Sequence, residues 1–126
     1  MEMIIGGAFQ GKSSYAKEHY PGIVWASGDT LTEEELFASD AVLGFHEYIR
    51  KEMKAGKDVS SLAGKLIREN PNIILVTDEV GYGVVPVDAF DRAYREAVGR
   101  VCTELAAFST RVTRVVCGIG TVIKDA

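Results

Sequence analysis

The sequence predicts an α/β fold in which a mostly parallel sheet is flanked by helices, and three observations lead there. Residues 2–5, Glu-Met-Ile-Ile, form a short strand-like stretch that enters GGAFQGKS directly, and this octet fits G-x-x-x-x-G-K-[ST] without a mismatch ahead of a helix-forming segment. Residues 73–78 are a continuous apolar strand ending in acid, the pattern of a parallel strand covered on both faces. Strand-like and helix-like stretches alternate from one end to the other, as they do where parallel strands are joined by crossover helices.

The first element, residues 2–5, is read as a strand and residues 12–19 as the helix after the glycine-rich octet. Gly6 and Gly11 lack a Cβ, so the loop between can take backbone angles closed to other residues and aim its N–H groups at phosphate oxygens. Gly6, Gly7, Ala8, Phe9, Gln10, Gly11, Lys12, Ser13 and Ser14 are therefore the candidate nucleotide-binding residues. The helix N-terminus adds unpaired amides and the positive end of its dipole, Lys12 reaches for the β/γ-phosphates, and the Ser13 hydroxyl suits a Mg²⁺ shell. The expected cargo is a magnesium nucleoside triphosphate, ATP or GTP.

Pro21-Gly22 introduces a short strand over residues 22–26. Thr32 followed by Glu35 is a capping-box signature and opens a helix with acids in its first turn. Apolar residues at Ala41, Val42, Phe45, Tyr48, Ile49 and Met53 make a helical stripe across residues 40–55, with Gly56 as its stop. Residues 59–70 form a further helix, ended by Asn70-Pro71. After the acidic strand, residues 87–108 form a long helix capped by Asp88, and residues 114–117 and 121–123 close the chain as strands around Gly118-Ile119-Gly120. The i,i+4 pairs Asp91/Arg95 and Glu96/Arg100 on the long helix are those of a solvated face.

The 126 residues are read as one nucleotide-binding domain, 1–126, with no repeat or linker. A formal charge of −4 argues against nucleic acid held by a broad basic face. The longest clean apolar run is far too short to span a bilayer, and there is no basic leader, so a cytoplasmic protein without membrane association is expected. Cys102 and Cys117 have no zinc or redox spacing and are read as reduced core residues.

A phosphate loop needs a carboxylate to orient magnesium and a group to take the proton of an attacking hydroxyl. Asp78 and Glu79, at the C-terminal edge of their strand, are placed where open α/β sheets hold ligands, and the strand pattern favours Asp78. The segment beyond, with Gly81, Tyr82, Gly83 and Pro86, is a shaped loop expected to contact substrate.

Several blocks together resemble the adenosylcobinamide kinase / adenosylcobinamide-phosphate guanylyltransferase family. They are Thr77-Asp-Glu-Val-Gly-Tyr-Gly-Val-Val-Pro86, the FDR-x-x-R-E-x-x-GR-V helix from Phe90 to Val101, the strand ending in Gly118-Ile119-Gly120, and the phosphate loop. The resemblance implies a RecA-like P-loop domain, phosphorylation of the aminopropanol hydroxyl of a cobinamide-type corrinoid, guanylyl transfer through a histidine, and a homo-oligomer, a trimer. It favours Glu79 over Asp78, because an Asn is usual at position 78. Between the phosphate loop and Glu79 this chain is too short for the family's extra strand, histidine-bearing helix and further strand. Residues 37–49 would then match an acidic-residue strand and its following helix, making Asp40 a third candidate for the magnesium shell. The guanylyl acceptor has no clear counterpart: of the two histidines, His46 is the nearer candidate, and its flanks do not match.

Overall fold

The computed structural model describes residues 1–80 and 88–126. Its elements are β1 (Glu2–Gly6), α1 (Lys12–His19), β2 (Trp25–Ser27), α2 (Glu33–Ala38), β3 (Ala41–Leu43), α3 (Phe45–Lys54), α4 (Leu62–Glu69), β4 (Ile74–Asp78), α5 (Ala89–Phe108), β5 (Arg111–Val116) and β6 (Ile119–Asp125). The strands form a six-stranded sheet in the order β2-β3-β4-β1-β5-β6. All neighbouring pairs are parallel except β5 with β6, which are antiparallel. The expected α/β fold with a mostly parallel sheet is the one observed.

Period-2 alternation sends successive strand residues to opposite faces of this sheet. Met3 of β1, Val42 of β3, Leu75 of β4 and Val112 of β5 face a large core shared with Leu36, Phe45, Ile49, Leu66 and Leu105. Ile4, Val76 and Val115 face the other way, where Ala16 of α1 packs on them with Tyr15, Tyr20 and Trp25 at the margin. Each fully buried Leu, Ile or Phe contributes about 1.5–3 kcal/mol through area removed from water. The sheet is thus held mainly by the α3–α5 face, and α1 is a light cover bearing the glycine-rich loop at its head.

The capping box forms as expected: the Glu35 N–H donates to Thr32 Oγ1 at 3.1 Å, and the Thr32 N–H donates to the Glu35 carboxylate at 3.2 Å. Asp88 caps α5 by accepting the Asp91 N–H at 2.6 Å.

Residues 40–55 are a correction. Ala41–Leu43 are the strand β3, paired with β2 and β4, and the helix begins only at Phe45 after Gly44, whose φ is 68°. Ala41 and Val42 are fully buried between two strands, and positions 41, 42, 45, 48 and 49 also fit a helical stripe. Periodicity alone therefore cannot separate a three-residue strand from the helix behind it. The strand after Pro21-Gly22 is shorter and later than expected, at Trp25–Ser27, and α4 starts at Leu62.

β5 and β6 are both longer than the sequence suggests and meet at Cys117-Gly118, with φ of 51° and 76°. Two left-handed residues give a turn whose twist matches that of the strands. Cys117 is therefore exposed on a turn, not buried in the core, whereas Cys102 is partly buried on α5. Among the described residues no helix is long and apolar enough to cross a membrane.

Candidate functional site

The glycine-rich loop leaves the C-terminal end of β1, the central strand, and α1 starts at Lys12 with Gly11 as N-cap. Gly11 has φ 81°, a left-handed conformation that costs a glycine little. Gly11 has no side chain with which to cap the helix and no acid stands in its first turn, so among the described residues its leading amides are open to an anion. Gly6 is fixed by close approach: a Cβ there would lie 2.5 Å from the Val115 carbonyl oxygen and 3.3 Å from the Lys12 side chain.

Lys12 is buried and curls back over the loop. Its Nζ donates to the Gly7 carbonyl at 2.7 Å and lies 2.6 Å from Asp78 Oδ1. Parallel pairing of β1 with β4 sets Gly6 opposite Asp78, so the acid and the loop lysine meet because their strands end at the same level. The backbone continues the link, the Glu79 N–H donating to the Gly6 carbonyl at 2.8 Å.

His46 lies in this site, brought there by the turn from β3 into α3. Its Nδ1 accepts the Asp78 backbone N–H at 3.0 Å, and its Nε2 is 3.4 Å from Asp78 Oδ2 and 3.3 Å from Glu47 Oε1. A backbone N–H can only donate, so Nδ1 is the acceptor and the proton of the neutral ring is on Nε2. Burial pushes the His46 pKa down from the ordinary value, opposed by the Asp78 and Glu47 carboxylates and reinforced by Lys12.

Glu79 is held by Arg114 of β5: Nε lies 3.2 Å from Oε1 and Nη2 donates to Oε2 at 3.2 Å. Because β1 lies between β4 and β5, this arginine reaches across the root of the glycine-rich loop. Sequence patterning missed Arg114, which reads there as an ordinary polar residue of an alternating strand.

Two hollows meet at this point. One of about 300 Å³ is lined by Gly11, Lys12, Ser13, Ser14, Gly44 and Val76, with Gln10, His46 and Asp78 on its border. The other, about 560 Å³, shares Gln10, His46 and Asp78 and extends over Gly7, Ala8, Glu79, Arg50, Arg95 and Arg114. That volume is within the range of small-molecule clefts. Gln10 also clasps the β5–β6 turn, its side-chain oxygen accepting the Cys117 N–H and its carbonyl accepting the Gly118 N–H, both at 2.8 Å.

The structure thus brings together the loop residues from Gly6 to Ser14, Asp78, Glu79 and His46, and leaves out Asp40. That residue precedes β3, at the opposite edge of the sheet, where its carbonyl accepts the Ile74 N–H, so its exposed carboxylate is four to five strand residues away from Asp78. The resemblance was right to expect a strand there, but the acid is at the wrong end of it. His19 is also outside the site, stacked on Tyr15 with ring centroids 3.8 Å apart. Gly81, Tyr82, Gly83 and Pro86 lie outside the described residues. Phe9, with φ 60°, is fully exposed at the tip of the loop.

Among the described residues no three His, Cys, Asp or Glu side chains are gathered for a metal. Ser13, Asp78 and Glu79 offer oxygen donors only. That fits Mg²⁺, which keeps several waters and takes one or two carboxylates together with phosphate oxygens instead of a full protein cage.

A family model described as cobinamide kinase / cobinamide phosphate guanyltransferase matches residues 25–123. The match begins after the glycine-rich loop. The bifunctional adenosylcobalamin biosynthesis protein CobU of Escherichia coli (strain K12) is 38% identical over 78 residues, 62% of this chain and 43% of the relative. Its counterpart from Salmonella typhimurium (strain LT2) is 37% identical over 78 residues, with the same shares covered. The matched stretch spans less than half the length of either relative.

Proposed function

The chain belongs to the cobinamide kinase / cobinamide phosphate guanyltransferase family, and from that premise we propose that it binds a magnesium nucleoside triphosphate, ATP or GTP, and phosphorylates a hydroxyl of a cobinamide-type corrinoid in the cytoplasm. The observation that carries the reading is Lys12: a buried ammonium on a glycine-rich loop, facing the strand-end carboxylate of Asp78. Buried lysines are rare unless paired, and this one is paired at the point where polyphosphate would enter.

In the proposed reaction the loop amides and Lys12 hold the β- and γ-phosphates against the head of α1. Ser13, Asp78 and Glu79 hold Mg²⁺, which when bound neutralises charge developing on the phosphate oxygens. The 560 Å³ cleft beside the loop receives the alcohol arm of the corrinoid, with the bulk of the ring system outside. As the alcohol oxygen bonds to the γ-phosphorus and the β–γ bridge breaks, the hydroxyl proton passes to a carboxylate bordering that cleft. Positioning and electrostatics supply most of the rate in phosphoryl transfer of this kind.

Guanylyl transfer through His46 is left out of the proposal. The ring's only lone pair in the neutral state, on Nδ1, is already bonded to the Asp78 N–H. The family's trimeric assembly is carried into the proposal, and the exposed Ile119, Val122 and Ile123 of β6 support a self-associating surface.

Transfer of γ-labelled phosphate from ATP or GTP to cobinamide tests the reading. Labelled cobinamide phosphate, lost in Lys12→Ala, is the expected outcome; tight triphosphate binding without any product would leave a nucleotide-binding module and remove the kinase.

A further inference from the structure

The site holds two acid–base pairs, Lys12 with Asp78 and Arg114 with Glu79. Asp78 ends β4 on one side of β1 with Glu79 just beyond it, and Arg114 reaches Glu79 across the root of the glycine-rich loop from β5 on the other. We propose that Arg114 is a second polyphosphate-binding cation, held by Glu79 until a magnesium triphosphate arrives and then released to the phosphates. This inference rests on the nucleotide-binding reading above and adds to it a residue that neither the loop motif nor the family match singles out.

Three observations support the assignment. Arg114 is placed by register, opposite Ile5 in the parallel pairing of β1 and β5, one residue short of the point where β1 gives way to the loop. Its guanidinium lines the same cleft as Gly7, Ala8 and Gln10 of that loop. Only Nη2 donates to Glu79; the buried Nε, 3.2 Å from Oε1, makes no hydrogen bond among the described residues, and Nη1 takes no part in the pair. A planar guanidinium presents its donors as a fork suited to phosphate oxygens, and phosphate accepts such bonds as readily as carboxylate does.

The charges show why a partner exchange is favourable. A triphosphate brought alone to this site meets Asp78 and Glu79, each already holding the cation that the phosphates need. With magnesium, both acids turn to the metal and both bases turn to the phosphates, so each side chain of the two pairs keeps a partner of opposite charge in the partly buried cleft. Without magnesium, the two acids repel the incoming oxygens and keep their bases. Arg114 and Lys12 then act as a coupled gate favouring the metal-bound nucleotide.

Equilibrium binding of ATP, GTP and the corresponding monophosphates, with and without Mg²⁺, to the full chain and to Arg114→Met, Arg114→Lys and Glu79→Gln decides the matter. Loss of a charged hydrogen-bond partner predicts triphosphate affinity about tenfold to hundredfold weaker in Arg114→Met, with monophosphate binding unchanged and part of the loss restored in Arg114→Lys. Glu79→Gln, which frees the guanidinium, is expected to tighten metal-free triphosphate binding, an effect that a merely structural Arg114–Glu79 pair would not produce. Wild-type triphosphate affinity in Arg114→Met, or weaker metal-free binding in Glu79→Gln, overturns the proposal. If Arg114→Met does not fold, Arg114→Lys and Glu79→Gln carry the decision. A wild-type protein that binds no triphosphate removes the nucleotide reading itself, a result distinct from any difference between variants.

Discussion

His46 and Asp78 are joined twice: the Asp78 backbone N–H donates to His46 Nδ1 at 3.0 Å, and His46 Nε2 lies 3.4 Å from the Asp78 carboxylate. The imidazole braces both the main chain and the side chain of the acid that faces Lys12, while its own lone pair is spent on the brace. An imidazole in this arrangement holds a carboxylate in place and has no free nitrogen with which to attack phosphorus.

His46 is therefore expected to remain unmodified when the protein is incubated with α-labelled GTP. Acid-labile label that survives denaturation of the wild type and disappears in His46→Gln would show that the ring leaves Asp78 and acts as a nucleophile.

Removal of the Lys12 ammonium leaves Asp78 without its closest cation and the phosphates without theirs. Lys12→Ala is expected to weaken triphosphate binding by roughly 10–100-fold, the range for a lost charged hydrogen bond. Calorimetric titration of the variant checks it, with a wild-type circular dichroism spectrum as the control for folding.

Gly6→Ala puts a methyl group 2.5 Å from the Val115 carbonyl oxygen, and both partners are backbone of paired central strands. Neither can give way cheaply, so overpacking of about 1–3 kcal/mol is expected, with triphosphate binding impaired as the loop root shifts. Chemical denaturation of the variant measures the first and nucleotide titration the second.

The two thiols should separate cleanly. Burial raises the Cys102 pKa to about 11, opposed by a hydrogen bond with Thr77, so at pH 8 it is almost wholly the unreactive thiol. Cys117, exposed on the β5–β6 turn, is expected to react with a disulfide reagent while the protein is folded, and Cys102 only after unfolding or as the pH rises towards 11. Quantifying one fast and one slow thiol by absorbance checks this; two fast thiols at pH 8 would contradict it.

The architecture and the glycine-rich loop were legible in the sequence because each rests on a local pattern. The apolar run of β4, the capping box at Thr32 and the motif from Gly6 to Ser13 each carry their own signal. What escaped depends on register between distant segments. β3 is three residues long and shares its apolar positions with the helix that follows, so its partners, not its sequence, make it a strand. The family resemblance, not the residue pattern, sets Asp40 beside a strand, and direction decides which end of a strand meets the loop. Arg114 became part of the site only when β5 paired with β1, and His46 only when the turn at Gly44 set α3 against the end of β4.

The most direct test of the account is calorimetric titration of the wild-type protein with ATP and GTP in the presence of magnesium. Saturable binding of at least one triphosphate, strongly weakened in Lys12→Ala, is the predicted result; no heat and no uptake of either nucleotide would contradict it.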